Sequence, residues 1–303
     1  MHSRRSLDGL PAVPVRKKNR APQGKLDCRK RRLCGTMTES GPPSVLSIPM
    51  ATERQNREQI VRYGRMLHER GFVAATDGNL SVRLSANRIL STPTCMSKGE
   101  MRPSDLVVVD MEGRLISGKR KVSSEIGMHL LIYRLRSDIK GIVHAHPPTA
   151  TGFAAAGVPL NQPLVCEVVI GLGSIPLAKY GTPGTTELTE ALEPLVPGFD
   201  AILMSNHGVV AYGADLEQAY MKMETVEHFA RIALVTHQLG HQKPLGAAEL
   251  EKLVVVRAKY MNGGQPEAQG QASGNGHGRK KAAAEPQPVD ASPATGLGRR
   301  TIR

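Results

Sequence analysis

Ile142-Val143-His144-Ala145-His146-Pro147 is the stretch on which the reading of this chain turns. Its apolar run, closed by Pro147-Pro148, predicts a buried strand over 140–145. Successive side chains of a strand point to opposite faces, so His144 and His146 share one face. Two imidazoles so placed at a strand end can clasp one metal ion. They could equally be two core or surface histidines that happen to alternate.

A second stretch has the same character. Leu203-Met204-Ser205-Asn206-His207-Gly208-Val209-Val210 places His207 at a sharp turn between a strand predicted at 200–204 and another at 209–212. A histidine where buried strands end is presented from a rigid scaffold. Three neutral imidazoles leave one coordination position open, which is the pattern of catalytic rather than structural zinc. Taken alone, His207 could be a buried histidine with a hydrogen-bonded ring.

Outward from these strands the periodicity is regular. Helices are predicted over 52–71, from Ser123 to about Arg136, and over 149–156, 184–194, 215–239 and 247–260. Further strands are predicted at 79–84, 88–92, 106–110, 114–116, 165–170 and 174–178. Strand hairpins mixed with helices over residues 51–261 imply a single α/β domain, a mixed sheet between helical layers.

The chain carries 40 Lys and Arg against 27 Asp and Glu, a formal charge of +13. Residues 1–50 hold 11 basic and 3 acidic residues and 262–303 hold 6 and 3, which leaves 51–261 with 23 and 21. A fold that binds nucleic acid would show a basic stripe on its folded part; this middle is nearly neutral, and no nucleic-acid partner is expected. Both ends, rich in Pro, Gly, Ser and Ala and without apolar periodicity, are expected to be disordered. Cys28, Cys34, Cys95 and Cys166 form no regular framework, which suits a reduced cytoplasmic protein. No apolar run approaches the ~20 residues that cross a bilayer, and the basic N-terminal residues are followed by no apolar leader segment.

Ser123-Ser124-Glu125 reads as a helix start, a serine cap followed by an acidic first turn. Exposed N–H groups and hydroxyls there could also receive an anion, and Glu125 beside a metal could be a ligand or a general base. Thr76-Asp77-Gly78-Asn79-Leu80-Ser81 reads as a turn into a strand; Gly78 would also let a phosphate approach the backbone, with Asn79 donating an amide. Ser91-Thr92-Pro93-Thr94 could add a hydroxyl. His129, four residues after Glu125, is expected to pack on the same helical face.

Taken in order, Gly78-Asn79-Leu80-Ser81, Thr92-Pro93-Thr94, Ser123-Ser124-Glu125, His144-Ala145-His146 and Asn206-His207-Gly208 resemble the class II aldolase/adducin family over about residues 53–255. The resemblance implies a three-layer sandwich with a mainly antiparallel central sheet. It makes His144, His146 and His207 ligands of one Zn2+ per subunit, and Glu125 an acid/base that can also ligate the metal. Gly78, Asn79, Thr94, Ser123 and Ser124 match positions that bind substrate phosphate. The implied activity is a zinc-dependent aldehyde-lyase that splits a phosphorylated ketose into dihydroxyacetone phosphate and an aldehyde through a metal-stabilised enediolate. A cytoplasmic homotetramer is implied with it. Related dehydratases and 4-epimerases use the same fold, the epimerases with Asp in place of Glu125, and adducin-like members use it as a structural domain. Two departures stand out: Cys95 occupies a glycine position of the phosphate loop, and no tyrosine near Cys166-Glu167 matches the one that protonates the departing aldehyde.

Overall fold

A computed structural model describes residues 51–261; the two arms expected to be disordered lie outside the described residues, as do Cys28 and Cys34. Helix α1 (Glu53–Glu69) begins on a capping box: Thr52 Oγ1 accepts from Gln55 N at 3.3 Å and Gln55 Oε1 accepts from Thr52 N at 2.7 Å. Its buried stripe, Ile60, Tyr63, Gly64 and Leu67, has the 3–4 residue spacing of one helical face. Ile60 and Leu67 are fully buried, each a gain of about 2 kcal/mol over an exposed side chain.

The sheet follows: β1 (Asn79–Ser85), β2 (Arg88–Ser91), β3 (Val107–Val109), β4 (Leu115–Ser117), β5 (Gly141–Ala145), β6 (Leu177–Ala178), β7 (Ala201–Met204) and β8 (Gly208–Gly213). Their spatial order is β4-β3-β2-β1-β5-β8-β7-β6. Every neighbouring pair is antiparallel except β6 with β7, so the sheet is mixed and mainly antiparallel, as expected. The remaining helices are α2 (Ile126–Leu135), α3 (Pro148–Ala155), α4 (Cys166–Gly171), α5 (Thr186–Leu192), α6 (Leu216–Gln238) and α7 (Ala247–Met261).

Strand alternation divides the core in two. Leu80, Val82, Val143, Ala145, Val209 and Ala211 pack with α1, α3 and α6 on one face. Ile142, Ile202, Val210 and Tyr212 pack with α2 and α5 on the other. His144 has the parity of Ile142 and therefore faces the α2 layer. None of the helices among the described residues is long and apolar enough to cross a membrane.

The structure corrects three local expectations. Residues 165–170, expected as a strand, form helix α4, whose buried Val168 is followed four residues later by buried Leu172. A six-residue apolar run carries no decisive period, and here packing chose the helix. The strand expected at 174–178 shrinks to Leu177–Ala178. Neither Ser123 nor Ser124 caps α2: Glu125 stands at the cap position and makes no side-chain cap hydrogen bond, while Ser123 Oγ accepts from Glu125 N at 3.3 Å.

Candidate active site

Four strands bring their ends to one edge of the sheet. β1 starts there, β5 ends there, β8 starts there and β7 ends there, because each is antiparallel to its neighbour. Asn79 pairs with His144, His144 with Val210, and Met204 with Gly208. Motifs far apart in the chain therefore meet. His207 is delivered by the turn between β7 and β8, where Asn206 takes a left-handed φ of 55°. Two glycines make the approach possible. A Cβ at Gly208 would lie 2.5 Å from His146 Cδ2, and one at Gly78, whose φ is +70°, would lie 2.7 Å from the His144 carbonyl oxygen.

His144, His146 and His207 form a cluster whose ligand atoms all lie within 4.8 Å of one another. Nε2 of His146 is 3.1 Å from Nε2 of His144. Glu125 reaches across from α2, with Oε2 3.4 Å from His144 Nε2 and Oε1 3.1 Å from His207 Nε2. The outer nitrogens set the tautomers. His144 Nδ1 donates to the Val209 carbonyl at 2.9 Å, and His146 Nδ1 faces Asp77 Oδ2 at 3.5 Å. Two lone pairs of Nε2 then face each other at 3.1 Å, which is repulsive unless a cation lies between them. Tetrahedral zinc with bonds of about 2.0–2.1 Å holds its nitrogens roughly 3.3 Å apart, so the donor set suits such an ion. Buried Glu125 Oε1 has no aligned hydrogen-bond donor, in keeping with a carboxylate turned toward that centre.

Burial alone would raise the Glu125 carboxyl, but positive charge on the facing His144 and His207 in the ion-free site, a place that a bound cation would take, outweighs it and holds the group well below the usual carboxylate range. Burial pushes His146 down to about 4, with His144 and His207 adding to the effect, so its ring is neutral and free to ligate at neutral pH.

Glu125 is also held from behind. Asn79 Nδ2 donates to Glu125 Oε2 at 2.8 Å, and Asn79 Oδ1 accepts from His129 Nε2. His129 Nδ1 lies 2.6 Å from Ser81 Oγ, which lies 2.9 Å from the Tyr133 hydroxyl. The carboxylate only accepts, so the chain has one direction: Tyr133 donates to Ser81, Ser81 to His129, His129 to Asn79, and Asn79 to Glu125. Burial pushes His129 down to about 3 and keeps it neutral in this role. His129 does share a helical face with Glu125, as expected, but it is a member of the site's support and not simply packing.

Of the residues expected to bind phosphate, Gly78 and Asn79 sit at the start of β1, Thr94 just past β2, and Ser123 and Ser124 just before α2. Thr94 N donates to the Lys121 carbonyl at 3.1 Å, and Pro93 bridges Val122, which sets Thr94 beside the serines. Cys95 adopts a left-handed φ of 54°, a conformation that favours glycine. A cavity of about 380 Å³ opens beside Glu125 between α2 and α5, lined also by Ser124, Arg134, Thr185, Thr186 and Thr189.

Asp77, His129 and Lys98, the last of them buried, carry no site signal in the sequence. Asp77 looks like any turn residue, and a Ser-Lys-Gly-Glu segment looks like surface. Asp77→Ala should weaken metal binding about tenfold, the usual effect of removing an outer partner of a ligating histidine. A chelator competition titration measures this, and an unchanged affinity would rule Asp77 out as the residue that orients His146.

The sequence pattern of the Class II Aldolase and Adducin N-terminal domain matches residues 58–234. A 5-deoxy-D-ribulose 1-phosphate aldolase of Bacillus thuringiensis serovar kurstaki is 34% identical over 202 residues, which are 66% of this chain and 94% of that protein. A 3-oxo-tetronate 4-phosphate decarboxylase of Haemophilus influenzae is 36% identical over 185 residues, 60% of this chain and 88% of that one. Among solved structures, L-fuculose-1-phosphate aldolase from Thermus thermophilus is similar, with a TM-score of 0.56 and 30% identity, covering 64% of this chain and all of that one.

Proposed function

The chain belongs to the class II aldolase and adducin family and is a lyase, and from that premise we propose that it cleaves a phosphorylated ketose to dihydroxyacetone phosphate and an aldehyde. The observation that carries this reading is the convergence of three imidazoles and one ionised carboxylate at one edge of the sheet. His144, His146 and His207 would hold zinc, one ion per subunit. When bound, that ion supplies Lewis-acid stabilisation of negative charge on the substrate's carbonyl oxygen and its neighbouring hydroxyl.

The chain's own residues do the rest. Gly78, Asn79, Thr94, Ser123 and Ser124 would seat the phosphate, so that binding energy far from the cleaved bond fixes its orientation. Cleavage frees the hydroxyl proton of the departing aldehyde and leaves an electron pair on the carbon next to the carbonyl; Glu125, ionised at rest, would take up a proton and return it to that carbon. The one-directional chain through Asn79 keeps the carboxylate aimed there. A homotetramer is part of this proposal.

A second reading is decarboxylation of a 3-oxo acid phosphate, the reaction named for the Haemophilus influenzae relative. One observation favours it: no tyrosine lies between Tyr133 and Tyr180 in the chain. Loss of CO2 leaves the same electron pair beside a carbonyl but no aldehyde oxygen, so no group is needed to handle that oxygen's proton. Assays with zinc on a panel of ketose 1-phosphates and on 3-oxo-tetronate 4-phosphate separate the two. Dihydroxyacetone phosphate is left in both cases, so the second product decides: release of an aldehyde from a ketose 1-phosphate supports the aldolase, and release of CO2 from 3-oxo-tetronate 4-phosphate supports the decarboxylase. Neither product from any substrate would sink both.

A further inference from the structure

Lys98, 1% exposed, is the only lysine or arginine among the buried residues described. Its Nζ donates to the carbonyl of Thr76 at 2.7 Å and to that of Met96 at 2.5 Å. These carbonyls belong to two different loops. One leads into Gly78-Asn79 and the other follows Thr94. Each accepting residue directly follows a non-glycine residue in left-handed conformation, Ala75 with φ 45° and Cys95 with φ 54°. Such backbone persists only where its surroundings hold it, and Lys98 grips both loops just past the strained residue.

A tie alone does not require a charge. Burying an ammonium is unfavourable, and two neutral carbonyls return only part of what water gave it. The residues that match the phosphate pocket offer amides and hydroxyls but no cation. We propose that Lys98 is the buried cation of that pocket, joining its two loops and supplying the positive charge that draws the substrate phosphate. This inference rests on the reading of Gly78, Asn79, Thr94, Ser123 and Ser124 as phosphate-binding.

Burial lowers Lys98 to about 8, against the raising influence of Asp77, Cys95 and Glu125. Helix α1 adds one further titratable neighbour, His68, whose ring packs against Gly99. Lys98 therefore loses its charge between pH 7 and 9, whereas inorganic phosphate only gains negative charge over that range. The pH series separates a charge role from a mechanical one.

The experiment is calorimetric titration of the full-length, metal-loaded protein with inorganic phosphate. Cys95→Gly serves as the background, since it removes the neighbouring thiol and suits the local φ. At pH 7, Lys98→Met in that background should bind phosphate about tenfold more weakly, the size of a unit-charge attraction across roughly 10 Å at an effective dielectric of about 20. The background protein should lose a similar factor between pH 7 and 9, and the Lys98→Met curve should be flat. Equal binding by both proteins with parallel pH curves overturns the inference and leaves the phosphate reading standing. No phosphate binding by the background protein or the unmodified chain overturns the phosphate reading, and the inference with it. Should Lys98→Met fail to fold, the background's pH series decides alone: a fall supports the charge, and a flat curve removes it.

Discussion

Replacing His144 by alanine is expected to lower turnover at least about a thousandfold, a loss of several kcal/mol of transition-state stabilisation, and to leave well under one metal ion per chain. His144 is fully buried, its Nδ1 is fixed by the Val209 carbonyl, and its Nε2 lies within reach of both His146 and Glu125. No other side chain can replace that nitrogen, because the neighbouring strand positions are taken by Asn79 and Val210. Metal content by elemental analysis and lyase rate should be measured on the same preparation, with thermal unfolding to confirm that the sheet survives. Wild-type turnover in metal-free protein would overturn the metal assignment.

Glu125→Gln should cost about 10²–10⁴ in kcat, the usual share of a positioned acid/base, with KM changed little. Glutamine keeps the length of the side chain and can still accept from Asn79, so the hydrogen-bond chain behind it is preserved. What it cannot do is take and return a proton. The three histidines remain, and the variant should retain most of its metal. A kcat within about threefold of the wild type would exclude Glu125 as the proton shuttle. Loss of activity together with loss of metal would instead make it chiefly a ligand.

Much of this architecture was legible in the sequence for reasons that can be named. Alternating strands such as Gly141–Ala145 and Gly208–Gly213 are buried on both faces and read as unbroken apolar runs between turn signals. Helix α1 announces itself by its apolar stripe. Cys166–Gly171 misled because six residues are too few to show a period, and only the Val168/Leu172 spacing hints at the helix. The histidines could be read because two of them alternate within one strand and the third sits at a strand junction. Their support could not. Asn79, Ser81, His129 and Tyr133 meet only through the register of β1 against β5 and the packing of α2 on that face. Lys98 is the extreme case, since nothing in its local sequence separates a buried lysine from a solvated one.

The convergence of strand ends at one edge has a thermodynamic consequence. In the unfolded chain only His144 and His146 are neighbours, while Glu125 and His207 join them after β1, β5, β7 and β8 have paired. An ion held by all four groups therefore recognises the native chain alone, and its binding is linked to folding. Each tenfold rise in free ion above its dissociation constant would then deepen the native well by about 1.4 kcal/mol. On the proposed metal assignment the ion would become a concentration-dependent fastener for the sheet, and the melting temperature a gauge of metal supply.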